Sequence, residues 1–287
     1  MWVALSGCQT LSRQGPVPKA VAHCRQLSQQ GISAREHGDW EQAESLLNQA
    51  VGACPVDTEA RRQYAETLWH RGAVQKAIEQ LEEARRIAGD DTALAVRVGE
   101  MYLASRQFDA ARRVADQALD WDPKCAAAWA LRGKTLEATG QVRRALADYQ
   151  RSLGYAPGCS DVLLHLAESY RQAGEPQSAL AALQNLIDTY PRGEEPPNVL
   201  YLQALALTNI GRYEESIEAL SLAARRGGPH AELFSRIAEA ELLAGHPERA
   251  QAALQQALAL DPGHAMSRAL RDRLHPAHVA VEQPLRR

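Results

Sequence analysis

The sequence predicts an all-α protein built from stacked helical hairpins, and three observations carry this prediction. A 34-residue unit recurs seven times between Cys24 and His264, with a three-residue insertion, residues 194–196, before the sixth copy. Glycine and proline divide every copy at fixed positions, and between them apolar residues recur every three or four positions, as on one face of a helix. No segment shows a convincing strand pattern, so helices alone account for the repeat.

The chain outside the repeats is short. Residues 1–23 are predicted to be an N-terminal tether, 265–274 a capping helix and 275–287 a flexible tail, because a repeat stack needs an element that covers its last apolar surface. The insertion before the sixth unit either lets the last two units pivot or is a tolerated surface insertion. The predicted units are 24–57, 58–91, 92–125, 126–159, 160–193, 197–230 and 231–264.

Small residues mark two positions of the unit where helices approach each other closely. Position 20 is alanine in six copies and Ser216 in the other, and position 8 is glycine or alanine in every copy. A larger side chain at either position would separate helix axes beyond the usual distance of about 8–10 Å. The residues at position 8 are Gly31, Ala65, Gly99, Gly133, Ala167, Ala204 and Ala238.

Glycine and proline mark where the predicted helices end. Position 15 is glycine in six copies, with Arg106 as the exception, and glycine there ends the first helix by adopting a positive φ. Position 32 is proline in five copies and Gly89 or Gly228 in the other two, which ends the second helix. Each unit is therefore predicted to be two antiparallel helices of about a dozen residues.

These residues resemble the tetratricopeptide repeat, a 34-residue pattern that reads W-x2-L-G-x2-Y, then A-x3-F, then P. Arg132 departs from the pattern, because leucine is usual at its position. The resemblance implies a right-handed superhelical solenoid of helix-turn-helix repeats, in which the first helices line a concave groove. The fourth copy carries the pattern in Trp129, Gly133, Ala145, Tyr149 and Pro157.

The resemblance also implies that positions 2, 5, 9 and 12 face the groove, where members of the family bind a peptide or a partner protein. Glutamate recurs at position 9, in Glu66, Glu100, Glu168 and Glu239, which predicts an acidic row beside apolar anchors. The alternative is that these glutamates are solvated and paired along their own helices. Aromatic anchors dominate interface energies. The predicted groove residues are Arg62, Glu66, Trp69, Val96, Glu100, Leu103, Lys134, Glu137, Leu164, Glu168, Arg171, Tyr201 and Leu205.

The composition argues against nucleic-acid binding, and the motifs argue against catalysis. The 32 basic and 35 acidic residues give a net charge of −3, and the arginine pairs form no continuous basic stripe. The sequence contains no glycine-rich phosphate loop and no G-x-S-x-G turn, and His275 and His278 have no further ligand nearby. We therefore expect a protein that is not an enzyme and holds no metal or cofactor.

The cysteines suggest two further hypotheses. Residues 5–8, Leu-Ser-Gly-Cys, resemble the lipobox of bacterial lipoproteins, so Cys8 would carry a lipid in a bacterial envelope if translation starts upstream of Met1. A chance match, with a cytoplasmic protein, is the alternative. The five cysteines follow no zinc spacing, and a bridge between Cys24 and Cys54 and free buried thiols both remain open.

The expected function is that of a scaffold or adaptor that binds a protein or peptide in its groove, with membrane contact only through Cys8. A self-associating structural module, joined through Trp2, Phe234 or Leu242 and Leu243, is one alternative. A targeting subunit whose enzyme lies on another polypeptide is a second. The molecular mass at increasing concentration separates self-association from the first expectation.

Overall fold

The structure is a computed structural model that describes residues 19–274, and all of its regular structure within that range is α-helical. The prediction of an all-α chain of stacked hairpins is therefore confirmed. The chain divides into two compact parts, each containing several of the 34-residue repeats. They are called here unit 1, with Met1–Pro123, and unit 2, with Lys124–Arg287. Within each unit, successive helices pack as antiparallel pairs and each pair contacts the next.

Unit 1 contains three helical hairpins. Its first helix begins at Lys19, earlier than the predicted first repeat, so the last five residues of the predicted tether belong to a helix. Residues 19–23 contain neither proline nor glycine, and nothing in them stops the helix from extending. The helices of unit 1 are α1 (Lys19–Glu36), α2 (Trp40–Ala53), α3 (Thr58–His70), α4 (Val74–Ala88), α5 (Thr92–Ala104) and α6 (Phe108–Trp121).

Unit 2 contains four hairpins and a terminal helix that packs against the last hairpin. Leu270 and Ser267 are the buried residues of this terminal helix, whereas Ala269 is exposed. The helices of unit 2 are α7 (Ala126–Ala138), α8 (Val142–Tyr155), α9 (Ser160–Gln172), α10 (Pro176–Ile187), α11 (Pro197–Asn209), α12 (Tyr213–Gly227), α13 (Ala231–Leu243), α14 (Pro247–Leu260) and α15 (Ala265–Leu274).

The turn between the two helices of each hairpin depends on a left-handed residue at position 15. Gly140 has φ +76°, and Arg106 adopts the same region with φ +60° although it carries a side chain. A non-glycine residue in this region is strained by about 1–2 kcal/mol, because its Cβ approaches the backbone. The hairpin geometry of the repeat therefore prevails over the preference of Arg106.

The small residues at position 8 leave room for a large side chain of the same hairpin. A Cβ on Gly133 would lie 2.7 Å from Cε1 of Tyr149, and one on Gly31 would lie 2.6 Å from Cγ of Leu47. Tyr149 and Leu47 both occupy position 24 and are fully buried. The size limit at position 8 is therefore set by the position-24 side chain that packs against it.

The insertion before the sixth hairpin is held by α12. Nη1 of Arg226 donates to the backbone oxygen of Glu195 and to its Oε2, both at 2.6 Å. Both side chains are mostly buried, with 22% and 17% of their surface exposed. This contact fixes the loop to its own hairpin, which favours a tolerated surface insertion over a free pivot.

Candidate partner-binding surface

The first helices of the hairpins form the inner side of unit 2. Helix α9 contacts both α7 and α11, whereas the described residues show no comparable contact between α8 and α10 or between α10 and α12. A stack whose first helices approach more closely than its second helices curves toward the first helices. The side of α7, α9 and α11 that carries the predicted groove residues is called here the inner face of unit 2.

The predicted groove residues of unit 2 all lie on these three helices. Arg171 is exposed, and the other six are half-buried. Each could therefore be touched by a partner, although their polar groups differ in how far they are already bonded. The residues are Lys134 and Glu137 on α7, Leu164, Glu168 and Arg171 on α9, and Tyr201 and Leu205 on α11.

The predicted groove residues of unit 1 lie on α3 and α5, and the prediction is wrong for one of them, Val96. Val96 is buried, with 8% of its surface exposed, because α5 packs around most of its circumference and buries six of its residues. Val96 therefore belongs to the core and offers no contact to a partner. The others are half-buried or exposed, namely Arg62, Glu66 and Trp69 on α3 and Glu100 and Leu103 on α5.

The predicted acidic row is neutralised by arginines. Nε and Nη2 of Arg97 each donate to a carboxylate oxygen of Glu66 at 2.6 Å, and Nη1 of Arg97 donates to Glu100 at 2.9 Å. Arg171 holds Glu168 in the same bidentate way, at 2.8 and 2.6 Å. The position-9 glutamates are thus paired, Glu168 within its own helix as the alternative interpretation expects and Glu66 with an arginine of the next hairpin, so they form no free acidic stripe.

Glu137 is the centre of a polar cluster that joins α7, α8 and α9. Its carboxylate accepts hydrogen bonds from the Tyr149 hydroxyl at 2.7 Å and the Ser169 hydroxyl at 3.2 Å, and it lies 2.8 Å from Nδ1 of His165. Burial alone would raise the pKa of Glu137, but the hydrogen bonds from His165, Tyr149 and Ser169 outweigh it and lower that pKa. Glu137 is therefore an ionised structural group, and sequence reasoning missed its three partners.

Polar contacts also bridge most neighbouring first helices of unit 2. Lys134 on α7 pairs with Asp161 on α9, and the hydroxyl of Tyr201 on α11 donates to Glu232 on α13 at 3.0 Å. The hydroxyls of Ser235 on α13 and Ser267 on α15 share a hydrogen bond. Each bridge joins one hairpin to the element that follows it.

The junction between α9 and α11 is different, because no polar side-chain bond crosses it among residues 124–274. Among the predicted groove residues, the half-buried apolar groups on its two sides are Leu164 of α9, together with the Tyr201 ring and Leu205 of α11. These three residues are called here the α9–α11 seam. The seam combines partly exposed apolar surface with a helix contact that no side-chain hydrogen bond or ion pair bridges.

A hydroxyl–imidazole–carboxylate arrangement at the end of unit 2 is structural. Nδ1 of His264 lies 2.8 Å from the Ser267 hydroxyl and 3.0 Å from that of Ser235, and its Nε2 lies 3.2 Å from Glu232. Serine hydrolases use this order of groups. Both serines, however, have no exposed surface, so a substrate carbonyl cannot reach them. The network instead ties α15 to α13.

The four cysteines of the described range form no disulfide bond. Sγ of Cys24 donates to the backbone oxygen of Ala50 at 3.4 Å and to Asp57 at 3.7 Å. Burial, helped by the neighbouring Cys54 and Asp57, raises the pKa of Cys24 to about 12. The bridge between Cys24 and Cys54 is therefore not formed in this structure.

Some of the predicted functional residues lie outside residues 19–274, namely Cys8, Trp2 and the two tail histidines. Within residues 19–274, no group of three or more His, Cys, Asp or Glu side chains is placed to hold a metal ion. None of the described helices has the length and apolar character needed to cross a bilayer.

The described residues predicted for self-association differ in how much of their side-chain surface is exposed. Leu243 has 51% of its surface exposed, whereas Leu242 packs partly against the core of the last hairpin. Phe234 is half-buried. Leu243 alone among the three presents a large apolar surface.

Sequence comparison identifies the repeat. A tetratricopeptide repeat profile matches residues 28–92, 130–194 and 164–232, and a second such profile matches 68–135. The chain belongs to the tetratricopeptide repeat family. The resemblance of the sequence to this family is thereby confirmed. No curated protein sequence matches this tetratricopeptide repeat protein.

Solved structures of other tetratricopeptide proteins share the fold. PilF of Pseudomonas aeruginosa superposes with a TM-score of 0.63 at 18% identity, covering 75% of this chain and 97% of PilF. A tetratricopeptide repeat protein from Parabacteroides merdae gives 0.62 at 16% identity, covering 88% of this chain and 99% of its own. YrrB, described as having an unusual peptide-binding site, gives 0.62 at 17% identity, covering 67% and 97%.

Proposed function

We propose that this tetratricopeptide repeat protein is a non-catalytic scaffold that binds a segment of a partner protein on the inner face of unit 2, centred on the α9–α11 seam. The observation that carries the proposal is the seam itself, where neighbouring first helices meet without a polar bond and expose apolar groups. YrrB, which shares the fold, is described as having a peptide-binding site, and this supports the same use here.

The chemistry of the seam selects the type of segment. Leu164, Leu205 and the Tyr201 ring can bury one apolar or aromatic side chain of the partner, and contacts of this type dominate interface energies. The Tyr201 hydroxyl is already bonded to Glu232, and Glu168 to Arg171. Charged groups near the seam are therefore paired, so a strongly basic segment has no free acid to meet. We expect recognition of an uncharged apolar anchor.

A displayed library of random 15-residue peptides tests this proposal and does not require the partner to be identified first. Peptides selected on the wild-type chain are synthesised with a fluorescent label, and their dissociation constants are measured by anisotropy. Leu205→Asp should weaken binding about tenfold or more, because it places a charge against the apolar anchor, and Tyr201→Ala should act in the same direction.

The matched control is Leu260→Asp. Leu260 is an exposed leucine on α14, with 49% of its surface exposed, and it lies on a second helix away from the inner face. Binding should be the same as in the wild type. If Leu205→Asp and Leu260→Asp weaken the peptides equally, or if selection yields no saturable peptide, the inner face of unit 2 is not the binding surface.

Lipid anchoring at Cys8 is a separate part of the proposal and rests on the sequence pattern alone. Mass spectrometry of the protein purified from its source cells should find a diacylglyceryl group on Cys8, and Cys8→Ala should move the protein from the membrane fraction to the soluble fraction. An unmodified Cys8 in the purified protein would contradict the anchor and would leave the binding proposal unaffected.

A further inference from the structure

A second surface of unit 2 lies on the opposite side of α11 from the α9–α11 seam. A cavity of about 620 Å³ opens between α11 and α12, lined on α11 by Leu200, Gln203 and Leu207. At about 100° per residue, these three side chains lie on the opposite side of α11 from Tyr201 and Leu205. The cavity and the inner face are therefore separate surfaces.

The floor of the cavity is apolar and its edges carry unbonded polar groups. Leu200 and Leu207 are buried, with 4% and 3% of their surface exposed, and close the cavity from below. Ile217 and Leu222 of α12 are half-buried and are the apolar side chains of the lining that a partner can touch. Gln203, Glu218 and Arg225 form no side-chain hydrogen bond or ion pair with any described residue. On the inner face, by contrast, the charged side chains are paired. An apolar cavity with a few free polar groups at its edge has the composition of a binding site.

The spacing of the lining residues indicates what the cavity accommodates. On α11, Leu200, Gln203 and Leu207 follow one another at intervals of three and four residues. Glu218, Leu222 and Arg225 of α12 follow at intervals of four and three. Each set therefore forms a stripe along one face of its helix, and the two stripes border the cavity. Two antiparallel helices with such stripes form a groove for a third helix.

We propose that this cavity is a docking site for an amphipathic helix of a partner protein. The partner helix carries leucine-like residues at intervals of three and four, together with one basic and one acidic residue seven positions apart. Glu218 and Arg225 lie two helical turns apart, about 10 Å along the axis of α12, so they face residues of opposite charge with the same spacing. The free Gln203 at the centre favours a polar residue in the middle of the bound helix. This proposal goes beyond binding at the inner face and uses none of its residues.

Three synthetic peptides and three protein variants test the charge pattern. The peptides are 21-residue helices with the same leucine stripe, and they differ only at two flanking positions seven apart, which hold Glu and Lys, Glu and Glu, or Lys and Lys. The proteins are wild type, Glu218→Arg and Arg225→Glu. The wild-type protein should bind the Glu–Lys peptide most tightly, the Glu218→Arg variant the Glu–Glu peptide, and the Arg225→Glu variant the Lys–Lys peptide. In each case the dissociation constant, measured by fluorescence anisotropy, should be about fivefold or more lower than for the other two peptides.

The design makes the result independent of the direction in which the helix lies, because each variant is matched by a peptide of the opposite charge. The proposal is overturned if all three proteins rank the peptides in the same order, or if no peptide binds saturably below about 1 mM. Circular dichroism should show equal helix content, since both substituted side chains are exposed.

Two controls separate this site from other surfaces. Leu205→Asp, which tests the inner face, should leave the affinities of all three peptides unchanged, so that either proposal can fail without the other. Sedimentation velocity without peptide should show no dimer that depends on Arg225. A dimer that Arg225→Glu abolishes would place a second copy of this chain in the cavity and would overturn the proposal of a partner helix.

Discussion

Replacement of Glu137 by glutamine removes one negative charge from a largely buried site and keeps the shape of the side chain. The Glu137 side chain has 15% of its surface exposed, and its carboxylate has three polar partners on α8 and α9. Glutamine retains one oxygen that can accept a hydrogen bond, but this oxygen is uncharged, and the NH2 group that replaces the other oxygen meets partners that donate to Glu137 and must reorient before they can accept. We therefore expect Glu137→Gln to destabilise unit 2.

The magnitude follows from the hydrogen bonds. A bond to a charged group contributes about 1.5–3 kcal/mol and a neutral one about 0.5–1.5 kcal/mol, and the contributions of neighbouring bonds do not add fully. Since the variant weakens two of the three bonds or loses one of them, the free energy of unfolding should fall by about 2–3 kcal/mol. The matched control, Glu168→Gln, removes an exposed pair with Arg171 at i+3 and should cost only about 0.3–0.5 kcal/mol.

The effect of Glu137→Gln should depend on pH in a defined direction. The folded state lowers the pKa of Glu137 from its ordinary value of 4.5, so this group stabilises the fold above that pH and loses its contribution as the pH falls through the folded-state pKa. Glutamine does not titrate. The difference in stability between wild type and variant should therefore be widest near neutral pH and should narrow below about pH 4.5.

Urea unfolding followed by circular dichroism, at pH 7 and at several values down to pH 3, measures both quantities. The expected result is a loss at pH 7 several times larger for Glu137→Gln than for Glu168→Gln, with the excess shrinking in acid. An equal loss in the two variants, or a difference that does not change with pH, would refute the assignment of Glu137 as an ionised, multiply bonded structural group.

Three further predictions concern single sites. Arg106→Gly should raise the free energy of unfolding by about 0.5–1 kcal/mol in urea, because glycine relieves the strain at φ +60°, whereas Gly140→Ala at the equivalent position should lower it by about 1 kcal/mol. Iodoacetamide at pH 8 should leave Cys24 unlabelled in the folded protein and label it only in urea, as mass spectrometry of its peptide would show, because the pKa of this buried thiol is raised to about 12. Arg132→Leu should cost about 3 kcal/mol in urea, since it removes the bidentate partner of the buried Asp148, and adding Asp148→Ala should recover much of that loss.

The repeat could be predicted from the sequence because its determinants are local. Glycine at position 15 and proline or glycine at position 32 act within a single turn of the chain. The described repeat helices end one or two residues before these positions, except α10, which ends earlier, at Ile187. The start of α1 lies earlier than the repeat predicts, since the pattern begins at Cys24 but nothing in residues 19–23 prevents a helix. Periodicity identifies the repeating core better than it identifies an irregular terminal extension.

The candidate site could be predicted less completely, because its chemistry depends on contacts between hairpins. The positions of Leu164, Tyr201 and Leu205 follow from the family pattern. The pairing of Glu66 with Arg97 does not, since the two residues lie on different hairpins and no local pattern links them. The partners of Glu137 on α8 and α9 were missed for the same reason. The cavity on α11 and α12 depends on which groups remain unbonded, which a sequence does not record.

The polar bridges between first helices connect residues that are close along the chain. Glu66 and Arg97 are 31 residues apart, as are Tyr201 and Glu232, and His165 is 28 residues from Glu137. Each bridge can therefore form as soon as one more repeat has been synthesised, without any contact between distant parts of the polypeptide. Within each unit, folding can advance from one hairpin to the next during translation, and evolution can lengthen or shorten the array by whole repeats.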